Sequence, residues 1–234
     1  MFSLTDRIKY LGHSGFHLET SEGKTVLFDP WISGNPVCPI DAEEFEDVDL
    51  VLISHDHDDH GPNDVKHLVE ECGAVLAAQP ELQAYLGEEF GISSDAFLPG
   101  MNIGGTVEFD GLSITMVQAF HSSSAGFPCG FILKTEAGNR IYHAGDTGVF
   151  ATMETLGDLY DINLALLPTG SAYVMDSEQA AHAVSLLRPD KVIPMHYGTF
   201  EVLEPDAELF ESLVKKHSPE VGVSVLQPGE CTDV

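Results

Sequence analysis

The sequence predicts an α/β fold in which helices cover the faces of β-sheets. Segments with strand character and segments with helix character are interleaved in both halves of the chain. Two strand-like segments, residues 50–53 and 164–167, are wholly apolar, which is typical of strands that are buried on both faces. Because such strands must be covered on both sides, layers of helix and sheet are expected.

The first third of the chain is dominated by short strands. Runs rich in apolar or β-forming side chains, separated by glycines and other turn residues, occupy residues 7–11, 16–20, 24–28 and 50–53. A helix is then predicted from Asn63 to near Gly73, because Val65, Leu68 and Val69 recur at helical spacing.

The remainder of the chain changes from a series of strands to an alternation of strands and helices. Strands are predicted at residues 106–109, 112–119, 130–135, 140–143, 164–167, 191–195 and 223–226. A capping box of Asp176 and Gln179 opens a helix that stops before Pro189, and Pro205 fits the first turn of the last helix. No linker or low-complexity tract interrupts the sequence, so a single domain over residues 1–234 is expected.

The composition narrows the classes of partner. The 234 residues include 38 Asp and Glu against 10 Lys and Arg, a formal net charge of −28, while 43% of the residues are hydrophobic. The chain can therefore form a core, but it lacks the clustered cations that nucleic acids or anionic membrane surfaces require. Its four cysteines have no Cys-x-x-Cys spacing, and no apolar run has the length of a signal or a membrane span. A cytoplasmic protein is expected.

A dense group of metal-binding side chains follows the apolar strand 50–53. The segment reads His55-Asp56-His57-Asp58-Asp59-His60, a His-x-His-x-Asp-His pattern. In an extended segment, His55 and His57 point to the same side and can chelate one ion. Asp59 and His60 follow a turn and can reach a second ion nearby. The pattern predicts a metal site at the carboxyl end of a strand, where α/β sheets commonly bind ligands.

Three later residues have the same context. His121 follows the strand 112–119, Asp146 follows the strand 140–143, and His196 follows the strand 191–195. Small residues come shortly after each of them, which lets the backbone turn sharply. Each alone is typical of an ordinary polar residue, but four strand ends that carry His or Asp indicate one shared site.

With these residues in order, the sequence resembles the metallo-β-lactamase superfamily, and within it the small stand-alone metal-dependent hydrolases related to ascorbate-phosphate lactonase-like proteins. The resemblance extends over nearly the whole chain. The matching runs are LGHSGF at 11–16, LFDPWISGNP at 27–36, the His-x-His-x-Asp-His segment, IYHAGDTG at 141–148 and VIPMHYGTF at 192–200.

The resemblance implies a four-layer αββα sandwich with the site at one edge between the sheets. It implies that one metal takes His55, His57 and His121, that the second takes Asp59, His60 and His196, and that Asp146 bridges them. Asp29 matches a residue that orients ligands by hydrogen bonding. The chain departs from its relatives at residues 167–175, where they tend to have a glycine pair followed by an aromatic-Thr-Met run.

The ligand set has five imidazoles, two carboxylates and no thiolate, which suits zinc and is also compatible with Mn, Fe or Ni. Two divalent ions that shared Asp146 would lower the pKa of a bound water, and the chemistry that they would supply is hydrolysis of a small ester, lactone or phosphoester. Asp59 is the candidate proton acceptor, and Asp146 is counted with it among the catalytic residues.

Other assignments near the site are less constrained by the sequence. His143 is a candidate catalytic residue, and His13 and Trp31 are candidate substrate contacts, but structural roles for all three stay open. The metal centre allows a small anionic substrate despite the acidic surface. Related proteins commonly self-associate, so the sequence also leaves open whether this protein forms a homo-oligomer.

Two further functions belong to the same superfamily. A nucleic-acid phosphodiesterase would need a basic groove or an added arm, and the sequence shows neither. An iron-dependent oxygen or redox enzyme paired with flavin would need a flavin domain and a Glu at the position of His57. Hydrolysis of a small molecule is therefore the preferred hypothesis.

Overall fold

A computed structural model describes residues 5–234 and shows two β-sheets packed face to face, with helices on both outer sides. The four-layer αββα sandwich expected from the sequence is confirmed. Within the described residues, no helix is long and apolar enough to cross a membrane.

The first sheet is built mostly from the amino-terminal part of the chain. In spatial order its strands are β13 (Cys231–Asp233), β1 (Arg7–Gly12), β2 (Gly15–Glu19), β3 (Thr25–Phe28), β4 (Leu50–Leu52) and β5 (Val75–Ala77). The pairs β1–β2 and β2–β3 are antiparallel, whereas β3, β4 and β5 run parallel. Strands β1, β3 and β4 therefore end at the same edge of the sheet.

The second sheet contains the rest of the strands. In spatial order they are β12 (Gly222–Val223), β11 (Lys191–Met195), β10 (Leu164–Pro168), β9 (Arg140–His143), β8 (Cys129–Lys134), β7 (Leu112–Gln118) and β6 (Thr106–Phe109). Strands β9 to β12 are parallel, and two antiparallel pairings bring β7 back to their direction. Strands β7, β9, β10 and β11 thus share one edge for their carboxyl ends.

Helices cover the outer face of each sheet. The helices are α1 (Val65–Glu70), α2 (Pro80–Phe90), α3 (Met153–Leu159), α4 (Ser177–Leu187) and α5 (Glu208–His217). Leu68 of α1 and Leu82 of α2 pack with the outer face of the first sheet. Val184 of α4 and Phe210 of α5 pack on the second sheet.

Alternation along the strands builds the layers. In β4, Leu50 and Leu52 belong to the core between the sheets, whereas Val51 lies in the cluster under α1 and α2. In β10, Leu164 faces the central core and Ala165 faces the helices. Successive side chains of a strand point to opposite faces, so a strand that is covered on both sides must be apolar throughout.

Two predicted elements are wrong in their extent. The last helix begins at Glu208, after Pro205, and the Asp206 carboxylate accepts a hydrogen bond from the Glu208 amide at 3.0 Å. The strand predicted at 223–226 is only the short β12. The Ser224 amide donates to the carbonyl of Val192, but Pro194, two residues further along the same edge, has no N–H to continue the ladder.

Candidate metal centre

The seven residues predicted as metal ligands lie together at the edge where the strands end. His55 and His60 follow β4, His121 follows β7, Asp146 follows β9, and His196 follows β11. His55, His60, Asp146 and His196 are buried, while His57, Asp59 and His121 are partly exposed. The two sheets contribute to one cluster because their strand ends face each other across the sandwich.

One part of the cluster consists of three imidazoles. Ligand-capable atoms of His55, His57 and His121 lie within 4.8 Å of one another. The Nε2 of His55 is 3.0 Å from the Nδ1 of His57, and the ring centroids of His57 and His121 are 5.1 Å apart. This spacing lets the three rings converge on one point.

A second group contains Asp59, His60 and His196, and it also includes His13. His13 lies in the tight turn between β1 and β2, at the carboxyl end of β1. Its Nε2 is 3.2 Å from the Oδ2 of Asp59, and its ring centroid is 3.9 Å from that of His196. His13 is fully buried and was predicted as a substrate contact, but its position is beside the ligand candidates.

Asp146 lies between the two groups. Its Oδ1 is 3.2 Å from the Nε2 of His60, and its Oδ2 is 3.1 Å from the Nε2 of His196. The same Oδ2 is 3.5 Å from the Nε2 of His121, which belongs to the first group. One buried carboxylate therefore contacts histidines on both sides of the cluster.

The unsatisfied atoms of the cluster fit metal ions. Among the described residues, the buried atoms without a hydrogen-bond partner include His13 Nε2, His60 Nε2 and Asp146 Oδ1. Buried polar atoms are normally satisfied, so unsatisfied nitrogens and a carboxylate oxygen within one cluster favour a metal ion as their partner. Imidazole nitrogens and carboxylate oxygens suit zinc and other divalent transition metals, and no thiolate takes part. The residues present thus fit a metal centre.

The charges within the cluster stabilise one another. Burial lowers the pKa of His60, but the carboxylates of Asp146 and Asp29 outweigh burial and raise this pKa well above its ordinary value. Burial raises the pKa of Asp146, yet His196 and His60 bring it well below its usual range. In the absence of metal, protonated His60 balances the two buried carboxylates.

Asp29 supports this arrangement from beneath. It accepts hydrogen bonds from the amide and the hydroxyl of Ser54, at 2.7 and 2.6 Å, and from the Nδ1 of His60 at 2.8 Å. The His60 Nδ1 is thereby engaged, and its Nε2 is left to face Asp146. Orientation of a ligand imidazole by a carboxylate on its other nitrogen is common around metals. These contacts support the role predicted for Asp29.

Asp56 is a supporting residue that the sequence did not single out. Its carboxylate accepts hydrogen bonds from the Ser123 hydroxyl at 2.8 Å and from the amides of Ser124 and Ala125, each at 3.0 Å. These residues lie in the loop that follows His121, with only Ser122 between them and His121. Asp56 therefore ties the loop of His121 to the loop of His55 and His57.

Replacement of Asp56 by alanine should loosen the first group of imidazoles. Loss of a residue that supports ligands commonly costs about 10–100-fold in metal affinity, and we expect a change of that size. Competition with a chromophoric chelator would measure it. Asp58→Ala is the matched control, because Asp58 is exposed and its carboxylate makes only a 3.3 Å contact with Asn63 among the described residues. Equal affinities of the two variants would contradict the role of Asp56.

His143 lies just behind the cluster and is fully buried. Its Nε2–H donates to the carbonyl of Ser14 at 2.9 Å, and its Nδ1 accepts from the Gly145 amide at 3.2 Å. The ring also stacks on Phe28, with centroids 5.4 Å apart. Backbone groups thus engage both ring nitrogens of His143. This favours a structural role in which His143 positions the turn before Asp146. The catalytic role predicted for His143 stays a prediction.

A cavity of about 310 Å³ lies above the cluster. It is lined by His57, Asp59, His121, Ser122, Asp146, Tyr173 and His196. Trp31 lines an adjoining cavity and stacks on Phe200, with ring centroids 5.9 Å apart. Trp31 is therefore placed where a substrate could meet it, whereas His13 is shielded from both cavities by its burial.

Backbone strain is concentrated near this cavity. His13, Asp29 and His196 have positive φ angles of 55°, 40° and 59°. Ser171 and Ala172 do as well, at 61° and 46°, in the segment where the sequence lacks the glycine pair of its relatives. Non-glycine residues in this region cost of order 1 kcal/mol each and are frequent at functional sites.

Two packed sheets between helices, with a cluster of His and Asp at one edge, define the metallo-β-lactamase class of fold. Sequence comparison agrees: the profile of the family described as "Beta-lactamase superfamily domain" matches residues 7–196. The chain is a metal-dependent hydrolase of this superfamily.

Individual relatives narrow the assignment. The chain is 45% identical over 229 residues to the UPF0173 metal-dependent hydrolase of Nitratidesulfovibrio vulgaris strain DP4, covering 96% of this chain and 93% of the relative. It is 42% identical over 224 residues to that of Caldivirga maquilingensis, covering 95% and 96%. The solved structure of Igni18, a metallo hydrolase from Ignicoccus hospitalis, superposes with a TM-score of 0.89 at 38% identity, covering 98% of each chain. The chain belongs to the UPF0173 metal-dependent hydrolase family.

Proposed function

We propose that this protein hydrolyses a small ester, lactone or phosphoester with two divalent metal ions, preferably zinc, held at the edge of its two sheets. The position of Asp146 carries the proposal. A buried carboxylate that contacts His60, His196 and His121 from two directions is arranged to serve two ions.

The residues divide into two sets of ligands. His55, His57 and His121 would hold one ion, and Asp59, His60 and His196 would hold the other, with Asp146 shared between them. His13 adjoins the second set, so we propose that it positions Asp59 through the 3.2 Å contact between its Nε2 and the Asp59 Oδ2. The other nitrogen of His13 is 3.0 Å from the Thr199 hydroxyl, which fixes the ring.

Bound divalent ions would supply a water of lowered pKa and a Lewis acid for the oxygen of the substrate. Asp59 is placed to accept the proton of that water, because it lines the cavity and its side chain is 26% exposed. Burial raises the pKa of Asp59, but the close contact with His13 and the charge of His60 outweigh burial and hold this pKa well below its usual value. The carboxylate is therefore in its basic form at neutral pH.

Metal analysis followed by a substrate panel tests the proposal. The purified protein should contain close to two divalent ions per chain. After removal and return of metal, it should hydrolyse at least one member of a panel of lactones, carboxylic esters, phosphodiesters and thioesters. A metal content near zero after incubation with zinc, manganese, iron or nickel would contradict the metal centre, and loaded protein without turnover would contradict the hydrolytic assignment.

Proton release gives a test that is independent of turnover. His60 should be protonated in the metal-free protein because its pKa is raised, and it must lose that proton to bind metal through Nε2. Burial lowers the pKa of His13 to about 4 and that of His55 to about 3, so these rings have no proton to release. We expect metal binding to release the proton of His60 in addition to any proton lost by metal-bound water, and we expect the affinity to fall as the pH falls below the pKa of His60.

Calorimetry of zinc binding in buffers with different ionisation enthalpies would count the protons. Asp29→Asn is the informative control, because it removes one of the two charges that raise the pKa of His60. Its proton release should be smaller at the same pH. Equal release from both proteins, or none from either, would contradict the charge balance described for the metal-free cluster.

A further inference from the structure

The cations of this protein are segregated from the candidate metal centre. Lys66 of α1 is paired with Glu70, and the other nine cationic residues lie at or near the opposite edge of the sandwich. They are Arg7, Lys9, Lys24, Lys134, Arg140, Arg188, Lys191, Lys215 and Lys216. This follows from the topology, since β1, β3, β9 and β11 begin at that edge, and α4 and α5 end there.

The distance between these cations and the candidate metal centre is large compared with the electrostatic screening length. A strand of five residues such as β11 spans roughly 16 Å at about 3.3 Å per residue. The Debye length is about 8 Å at physiological ionic strength, so the distant cations contribute little at the site. Within the described chain, no Lys or Arg lines the cavity over the cluster or the two recesses that adjoin it.

Carboxylates also reduce the positive charge that metal ions would bring. Asp146, Asp59 and Asp29 lie in or directly against the cluster. They offset most of the charge of two divalent ions, and Asp58 adds an exposed carboxylate at the mouth. A substrate that carries its own negative charge away from the metals would find no cationic side chain to pair with it.

An apolar recess continues from the cavity. It has a volume of about 690 Å³ and shares His121 and Ser122 with the cavity over the cluster. We call it the apolar groove and define it by Ile103, Phe120, Phe127 and Pro128. Phe120 and Phe127 are 61% and 62% exposed, and Ile103 is 49% exposed. A contiguous exposed apolar patch marks a binding surface, and this one opens beside the predicted ligand His121.

We propose that the substrate is an uncharged carboxylic ester or lactone whose apolar acyl portion lies in the apolar groove. This inference rests on the proposed hydrolytic function and names its substrate class. The metal centre alone allows a small anionic substrate, but the position of the Lys and Arg side chains at the opposite edge favours an uncharged one. Water adds across the acyl C–O bond, giving a carboxylic acid and an alcohol, so no further reactant is needed. The acidic edge would also favour departure of the product carboxylate.

A matched pair of esters tests the proposal on the metal-loaded protein. The 4-nitrophenyl ester of hexanoic acid and the mono-4-nitrophenyl ester of adipic acid have acyl chains of equal length, but the adipate ends in a carboxylate. We expect kcat/KM to be at least about tenfold lower for the adipate, because its carboxylate would leave water for an apolar groove that, among the described residues, has no cationic side chain in its lining. Equal values for the pair, or faster hydrolysis of bis(4-nitrophenyl) phosphate than of the hexanoate, would overturn the proposal.

A cation introduced into the groove should weaken the preference for the uncharged ester. Phe127→Lys places a cation there without removing a buried side chain, so the preference for the hexanoate should shrink several-fold. Leu159→Lys is the control, because Leu159 is 67% exposed at the end of α3 and should leave the preference unchanged. Identical preferences in both variants would show that the acyl chain lies elsewhere.

Two further measurements separate this proposal from its alternatives. If sedimentation shows a wild-type dimer that becomes a monomer in Phe127→Lys, the groove is an interface between copies and the proposal is overturned. If no ester or phosphodiester is hydrolysed, the groove can still be tested by binding. Ligand-observed NMR would compare the affinity for octan-2-one with the affinity for 7-oxooctanoate, which has the same chain length but ends in a carboxylate. Stronger binding of the ketone without the carboxylate, weakened in Phe127→Lys, would support the groove even though hydrolysis had failed.

Discussion

Asp146→Asn should abolish hydrolysis and lower the metal content from about two ions per chain to one or fewer. The asparagine side chain has nearly the same shape, but it is neutral and offers only one oxygen. In the native cluster the Oδ1 of Asp146 is 3.2 Å from the Nε2 of His60 in one ligand set, and its Oδ2 is 3.5 Å from the Nε2 of His121 in the other. Changing a residue that merely supports the ligands commonly lowers metal affinity or activity by about 10–100-fold. Changing Asp146, which contacts both groups, should therefore lower kcat/KM by more than about 100-fold.

Elemental analysis and steady-state kinetics on the same preparation would measure the effect of Asp146→Asn. Asp161→Asn serves as the control, since Asp161 is exposed and precedes β10 at the far edge of the sheet. The control should retain both the metal and the activity. Full metal content with undiminished kcat/KM in Asp146→Asn would refute the proposed sharing of this carboxylate.

The predicted ligands could be found from the sequence because their placement obeys a simple rule. A buried strand such as β4 is apolar on both faces, so the first polar residues after it, beginning at Ser54 and His55, lie at the sheet edge. Parallel strands then bring their carboxyl ends together. Local sequence is enough to apply this rule to His121, Asp146 and His196, and the structure does bring them together.

The roles of His13 and Asp56 cannot be predicted from the local sequence, because they depend on the tertiary fold. The position of His13 follows only from knowing that β1 runs parallel to β3 through two antiparallel pairings. The role of Asp56 depends on contacts with residues 123–125, which are more than 65 positions away in the chain. No pattern within the His-x-His segment distinguishes Asp56 from an exposed neighbour such as Asp58.

The elements that the sequence does not predict are short or weakly patterned. In α2, only Leu82 and Leu86 are buried, so the apolar face that would reveal the helix in the sequence is narrow. The strands β5 and β13 have three residues each, too few to show alternation. Their stability comes from pairing with β4 and β1, which a local sequence pattern cannot reveal.

Gly170→Ala should be the most damaging change of a small residue at the site. A Cβ at Gly170 would lie 1.9 Å from the carbonyl oxygen of His196 and 3.1 Å from its Nδ1. The neighbour cannot yield easily, because it is backbone and because His196 already has a φ of 59°. The backbone of Gly170 cannot move away easily either, because its carbonyl accepts a hydrogen bond from the Glu204 amide at 2.9 Å.

The strain should therefore displace His196 and spread to the end of β10. We expect a loss of about 2–4 kcal/mol in the free energy of unfolding, at or above the upper end for overpacked sites, together with loss of the ion assigned to Asp59, His60 and His196. Denaturant unfolding and metal analysis would measure both effects. Gly148→Ala is the matched control, because a Cβ there meets no atom within 4 Å and its φ is not in the left-handed region. If Gly170→Ala matched this control in stability and metal content, His196 would not be held by close contact with Gly170. The ion bound near His196 would then depend on its side-chain partners alone.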